Sequence, residues 1–247
     1  LEELLPTPNE QRTASGAPGR AYWQQRADYV IDVTLDDTKQ SIAGAAAITY
    51  HNASPDALTY LWLQVDPNIF SHNSDNRVTS GIPRATPGAN PLDKFPYASL
   101  EALLLQESYD SDLKISSVTD AAGTKLPHTV VKTMMRIDLP APLAPGAKTT
   151  FKVSWSYFIN NAKLLSLRSG YEYFEKDKNY IYEIAQWFPR MAAYNDTMGW
   201  QHKQYLGRGE FTLEFGDYLV RLTVPNDHVV SATGVLQNPD QVLTAAQ

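Results

Sequence analysis

Apolar and polar residues alternate with a period of two along several short runs of this chain, and no run holds the 3.6-residue period of a long helix. In Tyr29 to Leu35 (YVIDVTL) the positions Tyr29, Ile31, Val33 and Leu35 are apolar, while Asp32 and Thr34 are polar, the signature of a half-buried strand. Asp36 to Lys39 then turns the chain. Ser41 to His51 and Ala57 to Val65 follow as two further strands, separated by Asn52 to Asp56, whose Asn, Ser, Pro and Asp favour a turn. The first of these is rich in Ala, but Gly44 argues against a helix interior. Strands resume at Leu113 to Thr119 and His128 to Leu139, with Ala121 to Thr124 as the turn between them. Phe151 to Tyr157 (FKVSWSY) carries the cleanest alternation, with one apolar and one wet face, after a turn at Pro142 to Gly146. Tyr171 to Phe174 and Tyr180 to Ala185 flank Glu175 to Asn179 as a hairpin with Tyr on both arms. Phe211 to Phe215 and Tyr218 to Val224 bracket Gly216 and Asp217.

Between these runs the texture changes. Residues 1–21 hold Pro, Gly, Ser and Thr without a period, and are expected to form an extended N-terminal arm. Asp66 to Tyr97 contains Pro67, Pro83, Pro87, Pro91 and Pro96 and almost no alternation, and such long irregular stretches tend to be functional or mobile. A short helix over Ser99 to Gln106 is expected, with Ser99 as its cap. The pattern therefore predicts an all-β fold, with antiparallel sheets forming one extended saddle-like or sandwich-like domain over residues 22–236 and a short tail over 237–247. With 247 residues, 43% of them hydrophobic, the chain can bury a sizeable core.

Charge and residue usage narrow the chemistry. A net charge of −6 without a Lys/Arg block leaves no footprint for nucleic acid or an anionic membrane. No run reaches the roughly 18 apolar residues of a membrane span. The first residues lack the basic start and apolar core of a signal peptide. Cys is absent, which removes disulfides, thiolate metal sites and Cys nucleophiles. The histidines His51, His72, His128, His202 and His228 are too far apart to form H-E-x-x-H or any local zinc pair. Ser166 and Ser169 lie in LLSLRSG, which is not a G-x-S-x-G elbow, and Gly207-Arg-Gly209 lacks the remainder of a P-loop. Asp36 with Asp37, and Glu172 with Glu175, are taken as surface charge. Trp62, Trp155, Trp187 and Trp200, with the tyrosines from Tyr171 to Tyr182, could stack sugars; Trp155 sits on the apolar face of a strand and belongs to the core, whereas Trp187 and Trp200 lie where no period assigns them.

The segment Gln186 to Asp196 (QWFPRMAAYND), with the preceding strands DYVIDVTLDDTKQSIAGAAAITYHN and LPAPLAPGAKTTFKVSWSY, resembles the N-terminal β-domain of the aminopeptidase N family of zinc metallopeptidases, the gluzincins, in a divergent form. In that family a Gln or Glu precedes an Ala-Arg-x-x-Phe-Pro-x-x-Asp run. Here Gln186, Arg190 and Asp196 match, while the Phe-Pro pair stands before the Arg. The resemblance implies that Gln186, or Glu183 in the competing register, offers an acceptor to the ammonium of a peptide amino terminus, and that Trp187 lines the first side-chain pocket. A strand-end Gln bonded to backbone is the alternative for Gln186. Arg190 and Asp196 are expected to pair structurally and fix the turn. No metal ligand and no catalytic residue is expected within this sequence. Zinc is expected in a missing catalytic domain that residues 237–247 would link to, and the domain's partners would be that catalytic domain and the peptide amino terminus. Export to the periplasm or outside the cell follows from the same resemblance. The implied role is capping a catalytic cleft without catalysing. A carbohydrate- or ligand-binding β module, or a purely structural interaction domain, is the other reading.

Overall fold

Most of the alternating runs become strands. The computed structural model describes residues 8–79, 112–163, 169–207, 209 and 212–244, together with Tyr97, Leu100, Leu104, Glu107 and Tyr109. In chain order the strands are β1 (Arg26–Asp36), β2 (Ser41–His51), β3 (Leu58–Gln64), β4 (Lys114–Asp120), β5 (His128–Val131), β6 (Met134–Leu143), β7 (Lys148–Phe158), β8 (Gly170–Phe174), β9 (Asn179–Glu183), β10 (Arg190–Met191), β11 (Tyr194–Asn195), β12 (Gly199–Trp200) and β13 (Tyr218–Thr223). A 3₁₀ turn, Asp66–Phe70, and a short helix, Asp75–Thr79, follow β3. The expected helix over Ser99 to Gln106, and Pro83 to Pro96 of the irregular stretch, lie outside the described residues.

One sheet has the order β13-β1-β2-β7-β4 and a second the order β10-β3-β6-β5, with β8-β9 and β11-β12 as separate two-stranded ladders. The fold is all-β, as the period predicts. Each sheet turns one face inward because successive side chains on a strand point to opposite sides. Tyr29, Ile31 and Val33 of β1, Ile48 and Tyr50 of β2, and Phe151, Val153 and Trp155 of β7 share one core with Leu61 and Leu63 of β3 and Met135 and Ile137 of β6. Burying a side chain of this size contributes roughly 1.5–3 kcal/mol. The turns expected from sequence have their chemistry in place. Asp36 Oδ1 accepts from the backbone N–H groups of Thr38 and Lys39, which closes the β1–β2 turn.

Three elements depart from the sequence expectation. His128 to Leu139 is not one strand but the hairpin β5–β6, turning at Lys132 and Thr133, with Lys132 in the left-handed region at φ 55°. No Gly or Asn marks this turn; distant groups hold it instead. Gln204 Oε1 accepts from both the N–H and the hydroxyl of Thr133, and Asn68 donates to the Lys132 carbonyl at 2.7 Å. Phe211 to Phe215 does not form a strand among its described residues; only Phe215 bridges, in parallel, to Arg26. Finally, β13 runs parallel to β1, from Tyr29 opposite Tyr218 to Thr34 opposite Thr223, so the larger sheet is mixed rather than purely antiparallel. The approach to β1 is so close at Gly216 that a Cβ there would sit 1.7 Å from the Ala27 carbonyl oxygen, and only glycine fits.

Gly44 has a packing role as well. It lies opposite Trp155 in the β2–β7 register, and a Cβ at Gly44 would meet the indole Cζ2 at 2.6 Å. The indole needs that space to lie flat on β2 and to reach the Trp187 carbonyl with Nε1, at 3.1 Å. Gly44→Ala is expected to destabilise the fold by about 1–3 kcal/mol through overpacking. Urea unfolding should show a lower midpoint at unchanged slope. An unchanged midpoint would mean that Trp155 moves aside at no cost.

Candidate functional site

Strand β3 ends in a buried polar run. Gln64, Asp66 and Asn68 are each buried, and the chain turns there because Pro67 stands in the first positions of the 3₁₀ turn. Asp66 is only 1% exposed. Its Oδ2 accepts from Arg190 Nε at 3.0 Å and from Arg190 Nη2, and the same Nη2 donates to Gln64 Oε1 at 3.1 Å. Pairing of β10 with β3, Arg190 opposite Gln64, brings the guanidinium to this place. Burial pushes the Asp66 carboxyl above its ordinary range, and the Arg190 charge acts against that shift. The other oxygen, Asp66 Oδ1, is buried and has no hydrogen-bond partner.

Asp66 lines a cleft that also takes in Phe70, Tyr157, Ser169, Gln186 and Tyr205, with about 320 Å³ of open space out to its mouth. Tyr157 is the last inward position of β7. Its hydroxyl is buried without a partner, and burial alone pushes its ionisation up. Gln186 enters with the backbone in the left-handed region, at φ 55°. That conformation costs a residue with a Cβ roughly 1–2 kcal/mol. Both neighbours hold it there: the Ala185 N–H donates to Ser169 Oγ at 3.4 Å, and the Trp187 carbonyl accepts from Trp155 Nε1.

The residues picked out from sequence separate in space. Gln186 lines the cleft. Glu183 closes β9 opposite Gly170, is exposed, and does not line the cleft. Trp187 packs against Trp155 and Phe188, with ring centroids 6.3 and 4.8 Å away, and is not among the cleft residues. Arg190 and Asp196 do not pair with one another, which corrects the expectation that they fix one turn. Arg190 turns to Asp66. Asp196 instead receives Arg12, at 2.7 Å from Nε to Oδ2 and 2.8 Å from Nη2 to Oδ1. The physical reason is that buried Met191, Ala192 and Ala193 lie between them, and β10 pairs with β3 whereas β11 pairs with β12. The Arg12 guanidinium holds the Asp196 carboxyl below its usual range and ties the N-terminal arm to this segment.

Asp66, Tyr157 and Arg12 were not legible as site residues. An acid between a hydrophobic strand and a proline looks like a solvent-exposed turn, and Tyr157 looks like ordinary core. The remaining chemistry is dispersed. Asp37, Asp227 and His228 place one ligand atom each within 4.8 Å of one another, but Asp227 is exposed and the cluster sits at a surface turn. The tryptophans offer no flat platform: Trp155 and Trp200 are buried, and Trp62 stacks on His202. Tyr173 and Tyr180 on the β8–β9 hairpin are tilted 47° to each other.

No protein-family model matches the sequence, and no curated relative does. Among solved structures, the chain is similar to a mutant of the M1 zinc metallopeptidase from Deinococcus radiodurans bound to a Tyr-Ser-Ala substrate, with 13% identity and a TM-score of 0.42 over 89% of this chain and 37% of that one. The M1 zinc metallopeptidase from the same organism gives 12% identity and a TM-score of 0.42, over 88% of this chain and 36% of that one. The chain thus spans little more than a third of the length of these proteins.

The two ion pairs predict different losses. Arg190→Ala leaves a buried carboxylate uncompensated and is expected to cost about 3–5 kcal/mol at neutral pH. Arg12→Ala removes hydrogen bonds to a charged group nearer the surface, and is expected to cost roughly 1–3 kcal/mol. Because the folded Asp196 carboxyl is depressed below 3.8, its contribution is complete above that value and is lost as pH falls through the lower folded value. Chemical denaturation of wild type and Arg12→Ala at pH 7 and pH 2 checks the sign: the difference between them should shrink in acid.

Proposed function

We propose that this chain is a non-catalytic β-domain of a zinc aminopeptidase-like protein, and that it caps a neighbouring catalytic cleft and contributes to recognition of the peptide amino terminus. The observation that carries this reading is Gln186, held in a left-handed conformation at a cleft whose wall includes a buried carboxylate. Strained non-glycine backbone persists where the surroundings over-determine it, and it clusters at ligand sites. The local resemblance of Gln186 to Asp196 to the aminopeptidase N family supports the same residue, and the cleft favours Gln186 over Glu183 as the acceptor. A peptide ammonium is a strong donor without an acceptor, so its desolvation must be answered by oxygen atoms at fixed positions. The side-chain carbonyl of Gln186 is such an atom. Trp187 acts from behind, through the hydrogen bond its carbonyl receives from Trp155.

Zinc and hydrolysis would belong to residues outside this sequence, since it contains no H-E-x-x-H. In the longer protein, Gln186→Ala is expected to lower kcat/KM for substrates with a free α-amino group by roughly 10- to 100-fold, the range for losing one hydrogen bond to a charged group. Steady-state kinetics with aminoacyl substrates measure it, and an unchanged kcat/KM would remove Gln186 from the anchor.

A further inference from the structure

Two polar atoms of the cleft are left over by every interaction described above. Asp66 Oδ1 and the Tyr157 hydroxyl are both buried without a hydrogen-bond partner, on side chains that are 1% and 6% exposed. Both side chains line the same cleft as Gln186. Orphaned buried groups of this kind are costly, and each asks for an explanation. Neither group can swing out to water. Asp66 is pinned by Arg190 on its other oxygen, and Tyr157 is fixed in a strand whose register with β2 runs without interruption from Ser41 opposite Phe158 to His51 opposite Lys148.

We infer that Asp66 and Tyr157 form the receiving end of the cleft for a primary ammonium group, with Asp66 as its charged acceptor and Tyr157 as a second acceptor beside it. This rests on the amino-terminus reading above and adds to it the residues that would discriminate a free amine from an acylated or alkylated one. A carboxylate oxygen accepts only, and a phenol oxygen accepts as well as donates, so the group that satisfies both must bring hydrogens. An anion would be repelled by Asp66. An ammonium brings three N–H donors and no acceptor. Size selects further. The enclosed part of the cleft takes a group about as large as a water molecule, which suits an –NH₃⁺ head and excludes a trimethylated nitrogen. Arg190 already balances the Asp66 charge, so preference for an amine comes from directed acceptors in a site poor in water rather than from net negative charge.

The test uses the 247-residue chain and three probes: L-alaninamide, N-acetyl-L-alaninamide and N,N,N-trimethyl-L-alaninamide. Binding is followed by two-dimensional NMR of isotopically labelled protein. L-Alaninamide is expected to shift the amides of residues 68–70 and 185–187 saturably, and the other two probes are expected not to. Tyr157→Phe removes a hydroxyl that has no partner in the fold, so the protein should remain folded while binding weakens roughly 3- to 10-fold. Asp66→Asn should weaken it by roughly tenfold or more. Tyr157→Phe keeps the test readable if Asp66→Asn does not fold. Equal binding of the three probes, or binding of L-alaninamide that neither substitution weakens, would overturn the inference. If Gln186→Ala weakens binding while Asp66→Asn and Tyr157→Phe do not, the amino-terminus reading stands and this inference falls. Dependence on Asp66 and Tyr157 without dependence on Gln186 gives the reverse. No binding of L-alaninamide at all overturns both, and marks the recess as a place for water.

Discussion

The buried pair of Asp66 and Arg190 is the constraint around which the candidate site is built. A carboxylate at this depth is tolerable only because a guanidinium reaches it, and the guanidinium reaches it only because β10 joins the edge of β3. One contact therefore fixes the 3₁₀ turn after β3, the two-residue strand β10, and the separation of the walls between which the cleft opens. Arg suits the role better than Lys: its fork reaches Asp66 and Gln64 together, which a single ammonium would do less rigidly. Such a pair contributes less to stability than to definition. Its attraction is largely offset by desolvation, whereas its loss leaves a charge with nowhere to go.

A chain of backbone and side-chain contacts leads outward from that pair. Met191, next to Arg190, donates its N–H to the Tyr29 hydroxyl on β1 at 2.9 Å, so the smaller sheet is tied to the larger one beside the site. Tyr29 stacks in turn on Tyr218 of β13, with centroids 4.7 Å apart. Trp155 completes the other side, lying over Gly44 and holding the Trp187 carbonyl. The left-handed turn at Gln186 thus has rigid supports on both flanks, and its strain is balanced by core packing rather than by local propensity.

The sheets were legible in the sequence because their signal is local. Tyr29 to Leu35 and Phe151 to Tyr157 alternate cleanly, and the turn residues between the strands have side-chain reasons to turn. What was not legible depends on distant partners. Lys132 and Thr133 have no intrinsic turn preference; Gln204 and Asn68 hold the turn from elsewhere in the chain. Arg190 and Asp196 look like a pair at a separation of six, but buried alanines between them send one to Asp66 and the other to Arg12. Asp66 itself continues the period of β3 with a polar residue where the core would call for an apolar one. Hydropathy reads that as the end of the buried region, whereas the structure buries it and leaves one of its oxygens without a partner. Of the site, Gln186 was visible through a family resemblance; the polar atoms around it were not.

The parallel pairing of β1 with β13 has a consequence for how the protein is made. Tyr29 and Tyr218 are partners separated by 189 positions, so the outer edge of β1 has no partner until nearly the whole sequence has been synthesised. At about 5–20 residues per second, that is an interval of roughly 10–40 s. During it β2 can already be zipped onto the inner edge, since the β1–β2 turn is local and the register runs unbroken from Arg26 opposite His51 to Asp36 opposite Ser41. The nascent protein therefore passes through a stage in which a formed hairpin presents an open row of backbone donors and acceptors, the state in which a ribosome-associated chaperone has most to protect.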